Sequence, residues 1–237
     1  MIEACFYFPN NCLDTVIETL LQLPDKIRPS RFSHDEGVKK AKDLIADSER
    51  FHAFLKKATS GFFLHGEHSV YSFRIAKSIE FVLDIDGISE DDAGSLLRCL
   101  GPLGVSFAYA AEGSERKHRN RVIKNASYGT HEAWVGRDWR RYIPGIYWSI
   151  LVPVTLAETV GVPLDQLKQA AKQTEEISPG IWLMRFYDSS ADWQLHADKL
   201  DALCAEIPGI FVIKPVRMLF ESSDTFLNAT AVLNEWR

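Results

Sequence analysis

Apolar positions change period several times along the chain, and each change marks an expected element. Residues 3–8 read as a short strand. Leu13, Val16, Ile17, Leu20 and Leu21 then share one helical stripe, with Asn10-Asn11 as the expected N-cap and Pro24 as the stop. After a polar loop with Pro29, a second helix is expected from Ser33, with Glu36 at capping-box distance. It carries Val38, Ala41, Leu44 and Ile45, breaks near Asp47, and resumes its period through Phe51, Phe54 and Leu55. Past Gly61 the chain turns aromatic and β-branched. Residues 62–64, 70–75 and 79–85, with turn-forming or polar breaks between them, predict an antiparallel meander. A helix over 90–100 follows, its first turn holding Glu90, Asp91 and Asp92, where negative charge suits the helix dipole.

Gly101, Pro102 and Gly104 end that helix, and 105–110 predicts another strand. Residues 142–152 read as extended and 153–160 as a helix; Pro163 opens the next one, with Leu164, Leu167, Ala170 and Ala171 on its inner face. A strand over 181–187 comes next. A helix over 192–206 follows, with Leu195, Leu200 and Leu203 among its apolar positions, and then a strand over 211–213. Strands and helices mix without a βα repeat, and no low-complexity linker or internal repeat divides the chain. The expected fold is α+β, a mainly antiparallel sheet with helices packed on it, as one domain over residues 1–237.

At 237 residues and 46% apolar content, the chain can bury a core without metal or disulfide staples, which sets disorder aside. A formal net charge of −5 and a pI near 5.8 repel phosphate backbones. That argues against nucleic acid as the main partner and favours approach to a basic protein. Cys5, Cys12, Cys99 and Cys204 have no paired spacing and are expected as free thiols in a reducing compartment. No basic leader opens the chain. The most apolar stretch, 143–154, is broken by Pro144, Gly145 and Pro153 and is too short to span a bilayer. The expectation is a cytoplasmic protein with no membrane partner.

The best metal candidate is His65-Gly66-Glu67-His68. A His-x-Glu suits a zinc deaminase, but that chemistry needs a Pro-Cys-x-x-Cys, which Cys99 does not supply. The zincin pattern His-Glu-x-x-His is not met either. Between two predicted strands, the tetrapeptide reads more simply as a hairpin turn. No nucleophile elbow, dinucleotide fingerprint or phosphate loop occurs, so neither cofactor nor catalysis is expected. Carboxylate pairs such as Glu175-Glu176 are common on solvated surfaces. The basic run Arg116, Lys117, His118, Arg119, Arg121 and Lys124 could grip phosphates. Without interleaved aromatics to stack on bases, and with Glu112 and Glu115 just before it, it reads as a solvated helix or loop.

Residues 134–148 concentrate Trp134, Trp139 and Trp148 with Tyr142, Tyr147, Arg137, Arg140 and Arg141. These types are enriched at binding hot spots, and they also build cores in which guanidinium groups stack on rings. The Pro144-Gly145 pair, which would bend a strand, favours the structural role. The stretch Arg137-Asp-Trp-Arg-Arg-Tyr-Ile-Pro-Gly-Ile-Tyr-Trp148, with a helix following it, resembles immunity proteins of bacterial polymorphic toxin and type VI secretion systems. The closest fit is the immunity protein 52 family. Trp139, Arg140, Arg141, Tyr142, Pro144, Gly145, Tyr147 and Trp148 carry the likeness, which also takes in residues 29–33 and 71–73.

The resemblance implies a protein that caps a cognate secreted toxin and so protects its producer, with no catalysis of its own. The family's usual neighbours are toxins with a restriction-endonuclease-like nuclease domain, so the implied partner is a basic nuclease and the implied location the cytoplasm. An acidic antidote can be steered into a basic substrate groove. Candidate contacts are Asp84, Asp86, Glu90, Asp91 and Asp92, gathered at one predicted strand end and helix start. Helix capping and solvation are the ordinary uses of such residues. Two rival readings stay open: an enzyme with a site near His65, Glu67 and His68, and a nucleic-acid-binding regulator acting through Arg116 to Lys124.

Overall fold

The computed structural model describes residues 1–36, 43–76, 80–126 and 129–236. The chain forms two compact units. The first comprises Met1–Ala111, Ile150–Pro153 and Glu175–Leu183; the second comprises Glu112–Ser149, Val154–Thr174 and Met184–Arg237.

In chain order the elements begin with β1 (Ile2–Pro9), α1 (Leu13–Leu21), β2 (Arg31–Ser33), β3 (Asp43–Leu44) and α2 (Ser48–Lys57). Then come β4 (Gly61–His65), β5 (Val70–Ala76), β6 (Glu80–Ile88), α3 (Glu90–Leu100) and β7 (Phe107–Glu112). Next are α4 (Gly113–Asn120), β8 (Arg121–Ala126), β9 (Gly129–Trp134), β10 (Ser149–Pro153), α5 (Val154–Val160) and α6 (Leu164–Ala170). The chain ends with β11 (Gln173–Ser178), β12 (Ile181–Arg185), α7 (Trp193–Glu206), α8 (Ile213–Ser222) and α9 (Phe226–Trp236). Ten strands form an antiparallel sheet in the order β11-β12-β10-β7-β1-β6-β5-β4-β2-β3, and the fold class is α+β. β8 and β9 form a separate hairpin. No helix among the described residues is long and apolar enough to cross a membrane.

The expected meander is β4-β5-β6, paired antiparallel throughout. Its alternation places Phe62 and Leu64, Tyr71 and Phe73, and Phe81, Leu83 and Ile85 on one face, level with Phe6 and Phe8 of β1. Their rings form a continuous ladder. Phe6 stacks on Phe8 at 6.0 Å, Phe8 on Phe81 at 5.2 Å, Phe81 on Phe73 at 6.0 Å and Phe73 on Phe62 at 4.4 Å. Each such buried side chain contributes about 1.5–3 kcal/mol. Helix α3 packs on β1 and against α1. In the second unit, α8 packs on β8 and α9, closing a core around Val122, Val135, Phe211, Val216 and Phe220.

Several expectations are corrected. Ser33 ends strand β2 rather than opening a helix: Phe32 is buried with its ring 4.5 Å from Phe54 and 5.2 Å from Phe51, so its burial sets an extended chain. Val38 and Ala41 lie outside the described residues, and so does Ile79 at the expected start of β6. Asn10 and Asn11 sit in a short 3-10 turn, and α1 starts without a side-chain cap. Of the expected extended stretch only 149–152 is strand, β10 running one residue further to Pro153, so Pro144-Gly145 bends irregular chain instead. Ile213 opens α8, where a strand was expected; Pro215 falls in the first turn, where its missing N–H costs nothing. Leu195 is exposed, because the buried stripe of α7 runs through Ala197, Leu200 and Cys204.

Candidate functional site

The five acidic candidates separate into two groups. Asp84 and Asp86 lie on the face of β6 opposite Leu83 and Ile85, with Cys5 and Glu3 as their respective neighbours across β1. Asp84 is buried and ion-paired with Arg74. Asp86 is half-buried. Within β6, Gly87 takes φ +80° where the register with β1 shifts between Ile2 and Glu3, and a Cβ there would stand 2.2 Å from the His68 carbonyl oxygen, so the position accepts no side chain. Ser89 caps α3: its hydroxyl accepts from Asp92 N–H at 3.2 Å, while the Asp92 carboxylate accepts from Ser89 N–H at 3.2 Å. Lys26 completes that carboxylate's shell at 2.9 Å. Burial tends to raise the Asp92 pKa, but the Ser89 hydrogen bonds and Lys26 bring it below the ordinary carboxylate range. Asp84 and Asp92 are therefore committed internally. Glu90 is half-buried, and Asp91 stands exposed on the first turn.

The His65–His68 tetrapeptide closes the β4-β5 hairpin, with Gly66 N–H donating to the Ser69 carbonyl at 2.9 Å. It splits its two histidines. His65 is fully buried, its Nε2 2.8 Å from Ser33 Oγ, whereas the His68 side chain is 74% exposed beside Glu67. Burial is the main cause holding the His65 pKa below its usual value, so the imidazole is neutral at pH 7. Among the described residues, no three His, Cys, Asp or Glu side chains gather as a metal site.

The basic run is only in part a solvated face: Lys117 is exposed, Arg116, His118, Arg121 and Lys124 are half-buried, and Arg119 is buried. Helix α4 carries no apolar side chain, so its inward face is polar and its charges need partners there. Glu115 is 0% and Arg119 3% exposed. Arg119 donates from Nε at 3.1 Å to Glu115 and from Nη1 at 2.9 Å to Asp201, which also holds His118 Nε2 at 2.9 Å. The second Glu115 oxygen accepts from Tyr187 Oη at 2.6 Å and from Trp148 N–H at 3.2 Å. Burial pushes the Glu115 pKa up against these favourable contacts. Burial also works to raise Asp201, yet the His118 hydrogen bond and the Arg119 charge bring it below the usual range. Arg116 lies 5.0 Å over Trp134, Arg121 pairs with Glu132, and Lys124 caps the last carbonyls of α8, Glu221 O at 3.0 Å among them.

The aromatic segment folds as a support. Trp148, Tyr147 and Tyr142 are buried. Asn120 donates to the Val135 and Pro144 carbonyls at 3.1 Å each and accepts from Tyr147 Oη, tying both ends of the segment to α4. The arginines stack outward. Arg140 lies 5.4 Å over Trp139, and Arg141 lies 5.8 Å over Tyr142 while donating to Glu235 O at 2.8 Å. Gly145 borders a cavity of about 540 Å³ between α7 and the start of α8, lined also by His118, Asp201, Cys204, Phe211 and Arg217. Burial raises the Cys204 pKa, so the thiol stays protonated at neutral pH and is a poor nucleophile.

Periodicity did not reveal this network. The available signal was α4 itself, a short helix without apolar residues in which Glu115 and Arg119 stand four apart. No family model, curated protein or solved structure matches the chain.

Proposed function

We propose that this chain is a cytoplasmic antidote that binds a secreted toxin and blocks it by occlusion, without chemistry of its own. The toxin is a nuclease with a basic substrate groove, and the acidic corner from Asp86 to Asp91 approaches that groove. The observation that carries the reading is the framing of this corner. The irregularity at Gly87 near the end of β6 and the Ser89–Asp92 capping box fix the β6-to-α3 connection, and Asp91 stands exposed on the first turn of α3. The chain's net charge of −5 supports long-range attraction to such a groove. The internal commitments of Arg119, Arg121 and Lys124 support a protein partner over a phosphate backbone.

The test is co-expression with the product of the adjacent gene, scored for growth rescue and co-purification, followed by Glu90→Lys/Asp91→Lys. Rim charges act mainly on association, so the double reversal slows binding by about tenfold at low ionic strength and reduces its salt dependence. A toxic neighbour that is neither bound nor neutralised by the wild-type chain refutes the antidote. Unchanged association by the double variant moves the interface away from this corner.

A further inference from the structure

Helix α1 carries two apolar stripes. Val16, Ile17 and Leu20 are buried, and the helix packs against α3. Leu13, Ile17 and Leu21, four residues apart, form a second stripe one flank round the helix. On α2, Phe51 and Leu55 repeat that spacing. The two stripes line opposite sides of an open groove of about 550 Å³, with Phe62 of β4 also in its lining. Leu13, Leu21 and Leu55 are half-exposed there.

The rims differ in sign. Asp14 and Glu18 border the groove on α1, while Lys56 borders it on α2 with the His52 ring beside it. The His52 ring is fixed by its Nδ1, 2.7 Å from the Ser48 carbonyl oxygen. An apolar trough between two helices, with one acidic and one basic ridge, has the shape and charge pattern that receives a third helix.

We infer that this groove docks an amphipathic helix of a partner protein, one flank of that helix basic and facing Asp14 and Glu18, the other acidic and facing Lys56. The nine residues of α1 set the length: the occupant contributes about two to three turns, at ~1.5 Å per residue, with apolar anchors at i, i+4 and i+7. Two copies meeting groove to groove do not fit, because two concave faces brought together enclose unfilled space, which close-packed interfaces avoid. The partner's identity as the toxin rests on the antidote reading; the groove's preference for such a helix does not.

The probe is a fluorescein-labelled, hydrocarbon-stapled peptide of three turns with those anchors, arginines on one flank and glutamates on the other. It is compared by fluorescence polarisation with two otherwise identical peptides whose flanks are both basic or both acidic. The full chain binds the mixed peptide about tenfold more tightly than either single-sign peptide, the size expected for several rim ion pairs acting together. Leu21→Lys/Leu55→Lys removes the binding. Asp14→Lys/Glu18→Lys, changed only at exposed positions, moves the preference to the all-acidic peptide and carries the test if the leucine variant loses its circular dichroism. Absence of binding, or equal binding of all three peptides, overturns the inference. A dimer of the chain alone, dissolved by Leu21→Lys/Leu55→Lys in sedimentation, also overturns it. If the wild-type chain neutralises the neighbouring toxin and the folded leucine variant does so equally, the groove is not the toxin's site although the antidote stands. If the toxin is not bound but the peptide preference holds, the antidote falls and the groove remains a helix-docking site.

Discussion

Replacing Arg119 by methionine removes a buried cation while keeping much of its volume. Glu115 is then left fully buried, and one of its oxygens loses the guanidinium nitrogens at 3.1 and 3.0 Å. The other keeps Tyr187 and Trp148 N–H. Breaking a buried pair from one side costs about 3–5 kcal/mol, and the two surviving hydrogen bonds place this case near the lower end. Asp201, partly exposed and still bonded to His118, adds little. At about 2–4 °C per kcal/mol for a chain of this size, the midpoint of thermal unfolding falls by about 6–12 °C. Glu115→Gln added to Arg119→Met removes the uncompensated charge but keeps an acceptor for Tyr187, and recovers half or more of the loss.

The pH dependence gives the sign. Burial already holds the Glu115 pKa above its ordinary value with Arg119 present, and removing the cation raises it further. A carboxyl whose folded pKa exceeds its unfolded value of about 4.3 binds its proton more tightly when folded. Its stabilising contribution is complete below the unfolded value and is lost as pH rises through the folded one. The Arg119→Met deficit therefore shrinks as pH is lowered from neutral toward the unfolded carboxyl value, whereas the double variant's deficit does not follow that carboxyl. Urea unfolding followed by circular dichroism at several pH values measures both. A single-variant loss under about 1 kcal/mol at pH 7.5, or one that grows on acidification, refutes the picture of a carboxylate held by its arginine.

Three further outcomes follow from the same contacts. Asp92→Ala removes half of the α3 capping box and costs about 1 kcal/mol at neutral pH by urea titration. Because the Asp92 pKa is depressed in the fold, that stability exists above its unfolded value, so the deficit fades as pH falls through the depressed one. Gly87→Ala forces a Cβ to 2.2 Å from the His68 carbonyl at φ +80° and destabilises by about 1 kcal/mol or more, read as a lower denaturation midpoint with unchanged slope. Trp148→Ala empties a fully buried site over which Arg185 stacks at 4.7 Å, and costs about 3–5 kcal/mol; a loss below about 1 kcal/mol would show that the aromatic segment is not a support.

The first unit was largely readable because its strands repeat every second residue and its aromatics fall on one face. The meander, α3 and the turn at His65–His68 all follow from that period and from local turn chemistry. Elements that break the period were lost. β2 has three residues, too few to show alternation. α8 has the right spacing in Ile213, Val216 and Phe220, but the aromatic and β-branched run 211–213 and Pro215 hid it. The acidic cluster was legible as a set of residue types, while the internal use of Asp84 depends on the cross-strand placement of Arg74 and that of Asp92 on Lys26, which lies far off in sequence. The groove beside α1 is half written in the sequence: the period puts Leu13, Ile17 and Leu21 on one apolar stripe with Val16 and Leu20, but it does not show that Leu13 and Leu21 stay half-exposed while the other three are buried.

The sheet of the first unit takes β10, β11 and β12 from beyond residue 148 and sets them outside β7. On the ribosome, β7 emerges long before those strands exist, and its residues Phe107 to Ala111, all buried in the finished protein, wait with an open hydrogen-bonding edge. Non-local pairing of this kind slows folding and exposes a nascent chain to self-association. A cut anywhere in 112–149 therefore releases an incomplete sheet, which makes this stretch a natural place to split the protein into fragments whose reunion reports that folding is complete.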